Sequence, residues 1–236
     1  MKHQPSDIAP TFEFISTNAR RRWLPWLVWA GLLLAAFGVD WPVAHWVYDR
    51  RPATPRHSIE YQNGPVSRED TWAKIVKWPG DFRFTLVVAA LVLILHRDHW
   101  KAAGFVCLAG IFSGVTSIIK WVFGRTRPLR PDESPGWNFF NDGPMGLFNH
   151  QDVSFPSGHA ALAFATAAAL SVLWPRWTVL FYFLAAIVGL ERILENAHFV
   201  SDVVAAAFVG WLCVKVILLL AQALEKHHDR AGIDAR

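Results

Sequence analysis

The chain has 236 residues, 53% of them hydrophobic, and a formal net charge of +4. That apolar share exceeds the ~45–50% of ordinary water-soluble domains, and the charges fall between apolar runs rather than on one basic face. The balance therefore points to anionic lipid or phosphate as partner and away from nucleic acid. Cys107 and Cys213 each sit inside an apolar run, which argues against a disulfide framework or a cysteine metal site. Many of the 13 Trp fall near the ends of apolar runs, among them Trp23, Trp26, Trp41, Trp46, Trp72, Trp78, Trp100, Trp174 and Trp177. That is the pattern of aromatic belts at two membrane interfaces.

Residues 1–22 are polar, end in Arg20-Arg21-Arg22, and read as a cytoplasmic tail. An apolar stretch follows from Leu24 to Val47 without a convincing small-residue cleavage site, so it reads as a retained first span. Asp40 lies near its outer end, within reach of the interface. Residues 48–81 form a polar connection marked by Arg50-Arg51-Pro52, Pro55 and Asn63-Gly64-Pro65. A short surface helix suits the spacing around Trp72–Trp78.

A second span runs over Phe82–Leu95, and a third over Ala102–Phe123 with Gly104, Gly110 and Gly114 as small packing contacts. Residues 124–155 are rich in Pro, Gly, Asp and Asn and read as a long loop. A fourth span covers Pro156–Trp174, closed by the turn Trp174-Pro175-Arg176-Trp177.

From Trp177 to Leu224 one uninterrupted helix would be about 72 Å long at about 1.5 Å per residue, more than twice a hydrocarbon core of about 30 Å. The polar island Glu191–Asp202 must break it into a fifth and a sixth span. The expected architecture is an all-α polytopic membrane protein, one domain of six transmembrane helices over residues 23–224, with a second cytoplasmic tail over 225–236. An even number of crossings puts both termini on one side. The arginines before the first span place that side in the cytoplasm and the chain in the inner membrane. The loops after spans three and five then face the periplasm or exterior.

Those two loops and the start of span four carry three chemical clusters. In Lys120-Trp-Val-Phe-Gly-Arg-Thr-Arg127-Pro128 the two named cations are seven apart, close to two helical turns, so both can converge on one anion. Snorkelling to the interface accounts for either cation alone, but a lysine inside a span favours function. Pro156-Ser157-Gly158-His159 opens span four. Proline suits a first helical turn, Gly158 lets a ligand approach the backbone, and the free amides with the helix dipole form an anion site. His159 sits at its lip. In the island, His198 and Asp202 are four apart, a spacing that on a helix lets the carboxylate hold one ring nitrogen and leave the other outward. Arg192 adds a cationic fork suited to a phosphoryl group. No group of carboxylates, Cys or His has metal-ligand spacing; His96/His99 and His227-His228 lie on the opposite side.

Together these patterns resemble the type 2 phosphatidic acid phosphatase family, whose helical core is shared with vanadium haloperoxidases. The family's Lys-x6-Arg-Pro corresponds to Lys120…Arg127-Pro128, its Pro-Ser-Gly-His to Pro156–His159, and its Arg-x5-His-x3-Asp to Arg192…His198…Asp202. The likeness extends over roughly residues 80–224. Glu191 departs from the small residue usual before the third-pattern arginine, and a carboxylate there opposes an anionic substrate unless it pairs with an arginine or points away.

The resemblance implies a phosphohistidine mechanism needing neither metal nor cofactor. In it His198 is the nucleophile, Asp202 its orienting carboxylate and His159 the general acid, while Lys120, Arg127, Ser157, Gly158 and Arg192 bind phosphate. The implied substrate is a lipid phosphate or diphosphate of the phosphatidate, phosphatidylglycerophosphate, polyprenyl diphosphate or lipid A type. Two alternatives belong to other classes. A non-catalytic phospholipid-binding or transport protein on the same scaffold would be expected to lack His198 or His159. A vanadate-dependent haloperoxidase would be soluble.

Overall fold

The structure, a computed structural model, describes residues 23–50, 75–76, 78–96, 98–128, 136–140 and 153–234. The polar tail 1–22, most of the connection before Trp78 and most of the loop 124–155 lie outside the described residues, as does Trp72 of the expected surface helix. The described chain is helical: α1 (Leu24–Arg50), α2 (Phe82–Leu95), α3 (His99–Ser113), α4 (Val115–Phe123), α5 (Gly158–Leu173), α6 (Thr178–Leu194) and α7 (Val200–Asp234). Among the described residues the only β pairing is two isolated bridges, Arg125 with Trp137 and Thr126 with Val153.

Four segments are long and apolar enough to cross a membrane: Leu24–Arg50, His99–Phe123, Pro175–Leu194 and Val200–His228. Phe82–Leu95 and Gly158–Leu173 are apolar but shorter, at 14 and 16 residues, and at about 1.5 Å per residue they fall short of a ~30 Å core unless their flanks contribute. The expected third span begins three residues earlier than anticipated, at His99, and turns at Gly114 between α3 and α4. Beyond Glu225 the backbone remains helical to Asp234.

The core is organised on α5, which packs against α7, α6 and α3. Its sequence GHAALAFATAAALSVL buries Ala160, Ala161, Ala163, Ala165, Ala167, Ala168 and Ala169, so small side chains let neighbouring backbones close in. At Gly210 of α7 a Cβ would stand 2.7 Å from the Ala165 nitrogen and 2.8 Å from the Ala161 oxygen, so only glycine fits that crossing. α1 lies along α7, with Trp26 and Trp29 against Phe208. It buries one narrow stripe, Ala36, Asp40, Ala44 and Val47, and leaves Leu27, Leu32 and Leu34 exposed, the distribution of a helix flanked by lipid on most sides. A buried carboxylate in that stripe is an anomaly whose partner is found in the site.

Candidate active site

The α4 helix stops at Gly124, whose φ of 52° is the left-handed cap conformation that favours glycine, and its N–H closes on the Lys120 carbonyl at 2.8 Å. Arg127 therefore lies beyond the helix and reaches the site through a turn, not through the helical periodicity that the seven-residue spacing suggests. The turned chain is then stitched to the segment before α5. Ser154 N–H donates to the Arg125 carbonyl at 2.7 Å, Ser154 Oγ to the Thr126 carbonyl at 3.0 Å, and Lys120 Nζ to the Val153 carbonyl at 3.0 Å. Ser157 N–H donates in turn to the Asp202 carbonyl at 3.1 Å. The three sequence clusters thus meet as one hydrogen-bonded assembly at one end of the bundle.

Pro156 lies two residues ahead of α5 rather than in its first turn, following a cis peptide bond from Phe155. Ser157 occupies the N-cap, fully buried, but its hydroxyl makes no capping bond and has no hydrogen-bond partner among the described residues. A Cβ on Gly158 would meet nothing nearer than Thr116 Oγ1 at 3.9 Å, so room remains beside the first helical amides. These amides have no intrahelical acceptor by construction. His159 is exposed and backs onto the Trp78–Gly80 turn, where a Cβ on Gly80 would strike the His159 Cβ and carbonyl at 2.8 Å.

His198 precedes α7 instead of lying on it, so the shared-face argument for His198 and Asp202 does not hold. They meet for another reason. Asp202, in the first turn of α7, folds back so that Oδ2 accepts the Phe199 N–H at 2.8 Å, as in half of a capping box. The same oxygen stands 3.5 Å from His198 Nδ1, a loose approach that leaves this buried nitrogen without a hydrogen-bond partner among the described residues. Burial holds the His198 imidazole well below its ordinary pKa, and the charges of Lys120, Arg127 and His159 push the same way, opposed by a hydrogen bond with the Ser154 backbone. The ring is therefore neutral at physiological pH and closely surrounded by positive groups.

Arg192 is buried at the end of α6 and is already engaged. Its Nε and Nη2 donate to the two carboxylate oxygens of Glu191 at 2.6 and 2.7 Å, and Nη2 also donates to Glu195. Glu191, the departure from the family pattern, is thus paired with the arginine beside it. Arg127, partly buried, donates to the Ala197 carbonyl at 3.4 Å.

Two further residues of the assembly escaped sequence reasoning. Arg125 donates from Nη1 to Asp202 Oδ1 at 2.8 Å and from Nη2 to Asp40 Oδ2 at 2.8 Å. Asp40, near the outer end of its span, is buried, 1% exposed, and bound into the site through Arg125. The available signal was a carboxylate within an apolar span, which is rarely idle. Among the described residues no group of three or more His, Cys, Asp or Glu is placed to hold a metal ion.

An all-helical bundle with an apolar exterior, carrying a His–Asp pair among loop cations, defines a multi-pass membrane protein. Residues 98–226, more than half of the chain, match the model of the PAP2 superfamily, and the chain belongs to that family. It is 31% identical over 159 residues to a lipid A 1-phosphatase of Rhizobium etli, covering 66% of this chain and 57% of that protein. It is 29% identical over 139 residues to an undecaprenyl-diphosphatase of Sulfolobus acidocaldarius, covering 58% and 62% of the respective chains. The match therefore spans 57% and 62% of the lengths of these two relatives. The crystal structure of a transmembrane PAP2-type phosphatidylglycerolphosphate phosphatase from Bacillus subtilis superposes with a TM-score of 0.52 over 92% of this chain and 96% of that one. At 17% identity that likeness is one of fold.

Proposed function

We propose that this protein is a membrane phosphatase that removes phosphate from a lipid phosphate or diphosphate through a phosphohistidine on His198. The observation that carries this reading is the placement of His198, buried and neutral beside Asp202, among Lys120, Arg127 and His159. The names of the relatives support a lipid phosphate as substrate class, lipid A and polyprenyl types included.

In the first step a ring nitrogen of His198 forms a bond to phosphorus while the bond from phosphorus to the lipid oxygen breaks, and His159 protonates the departing oxygen. Asp202 balances the positive charge that develops on the imidazole. Lys120, Arg127, Ser157 and the amides beside Gly158 take the phosphoryl oxygens, with Arg192 as a further cation once Glu191 and Glu195 yield it. In the second step His159 takes a proton from water, which attacks phosphorus and frees His198. The cations supply the positive charge that a divalent ion would otherwise bring, so the reaction runs without metal.

Residues 23–224 form the phosphatase domain in this reading, with α2 and α5 completing six spans through their flanks. The site faces the periplasm or exterior of an inner-membrane protein, as the arginines before α1 favour. A single cysteine at Asn141 in a chain without Cys107 and Cys213 should react with an impermeant thiol reagent from outside; reaction only after the inner face is opened would reverse the orientation. Release of inorganic phosphate by purified protein from a panel of lipid phosphates and diphosphates tests the activity, and release from none of them would contradict it.

A further inference from the structure

The Asp40–Arg125 pair joins the first helix to the proposed nucleophile through a chain of short, buried contacts. Arg125 Nη2 donates to Asp40 Oδ2 at 2.8 Å, and Nη1 donates to Asp202 Oδ1 at 2.8 Å and to Ser201 Oγ at 2.6 Å. Ser201 returns to Asp40 twice, from its N–H to Oδ1 at 2.9 Å and from its hydroxyl to Oδ2 at 2.5 Å. The guanidinium plane lies over the Phe199 ring, 3.9 Å from its centroid, with Trp137 and Phe37 farther out at 5.1 and 5.4 Å. Asp40, Ser201 and Asp202 are at most 1% exposed and Arg125 is 7% exposed.

This arrangement excludes the simplest reading of Arg125, that of one more phosphate-binding cation beside Lys120 and Arg127. Both of its terminal nitrogens are committed to carboxylates and one face is covered by an aromatic ring. Its chemistry is directed at Asp202 instead. Asp202 has two oxygens: one receives Arg125, and the other receives the Phe199 N–H and faces His198. A carboxylate held at both ends cannot rotate away from the histidine. Asp40 adds the remaining requirement. Arg125 alone would neutralise Asp202, whereas two carboxylates around one guanidinium leave a net charge of −1 in the cluster, matching the positive charge that develops on His198 when it is phosphorylated.

We propose that Asp40 and Arg125 are positioning residues for the proposed phosphotransfer, acting through Asp202 on His198, so that α1 forms part of the catalytic apparatus and is more than a membrane anchor. The inference rests on the functional reading above.

A double-mutant cycle on the purified full-length chain tests it. Asp40→Asn keeps the shape and removes the charge. It is expected to lower kcat on a lipid phosphate by about 10- to 100-fold, as for carboxylates that orient metal-bound histidines, with KM little changed. On an Asp202→Asn background the same change should cost almost nothing more, because its route to His198 is already cut. Arg125→Lys, which keeps the charge but cannot span both carboxylates, should reproduce the loss if the Asp40 variant does not fold. Full additivity of Asp40→Asn with Asp202→Asn, or a rise in KM at unchanged kcat, would overturn the proposal. Vanadate binding, followed by tryptophan fluorescence, gives the same cycle without turnover. If the unmodified protein hydrolyses no lipid phosphate, the functional reading fails, yet weaker vanadate binding in Asp40→Asn but not on the Asp202→Asn background still supports the positioning role. Vanadate binding unchanged by Asp40→Asn overturns it.

Discussion

Arg192 and Glu191, adjacent in sequence at the end of α6, form a two-point ion pair with contacts of 2.6 and 2.7 Å in which the carboxylate takes the fork that a phosphate would use. A phosphoryl group entering beside Arg192 must compete with this carboxylate and with Glu195. Replacing Glu191 by the smaller serine removes one competitor. A hydrogen bond to a charged group contributes about 1.5–3 kcal/mol, so Glu191→Ser is expected to lower KM for a lipid phosphate by about tenfold or more. Steady-state kinetics on one substrate would show it; a raised KM would mean that Glu191 orients Arg192 productively instead of occupying it.

The pH dependence follows from His198. Its pKa is pushed down by burial first and by Lys120, Arg127 and His159 next. The neutral ring is the nucleophile, so the acid limb of kcat/KM is expected below the ordinary histidine value of about 6.5. For stability the sign is the same. Below about pH 6.5 the unfolded chain binds a proton that the folded chain refuses, so the unfolded state binds more protons and stability falls as pH drops from there toward the depressed folded value. A kcat/KM profile with its acid limb above pH 7 would contradict this.

How much of this was legible before the fold was known depends on distance along the chain. Lys120, Arg127, Ser157, His159, His198 and Asp202 were picked out as a constellation because each cluster is local. The helices were legible because long apolar runs with tryptophans at their ends have few alternatives in water. The reasons for the local geometry were less so. Gly124 ends α4 three residues before Arg127, and α7 begins after His198, so two helical-face arguments reached the right neighbours by the wrong route. The Asp40–Arg125 contact joins residues 85 positions apart. No periodicity encodes such a pair, and Arg125 is disguised by standing among other cations. The engagement of Arg192 by Glu191 and Glu195 was hidden for a different reason, since side-chain direction at a helix end cannot be read from spacing.

Metal independence is open to a simple measurement. The Arg127 guanidinium and the Lys120 amine stand beside His198, so phosphate release should be undiminished in excess EDTA, and vanadate should inhibit by occupying the phosphate position against His198. Loss of activity in EDTA with recovery on adding Mg²⁺ would show that these cations do not suffice.

The central claim is the identity of the nucleophile, and trapping the intermediate tests it most directly. His159→Ala removes the acid of the first step, a loss on the order of 10²–10⁴ for a lipid alcohol leaving group. With nitrophenyl phosphate that step needs no proton, while the second step still lacks its base, so phosphorylated protein should accumulate. The expected result is an acid-labile, base-stable phosphate on the His159→Ala protein and none on a His198→Gln protein. Label on the His198→Gln protein alone would exchange the two roles, and absence of label from both would contradict the covalent mechanism in favour of direct attack by water.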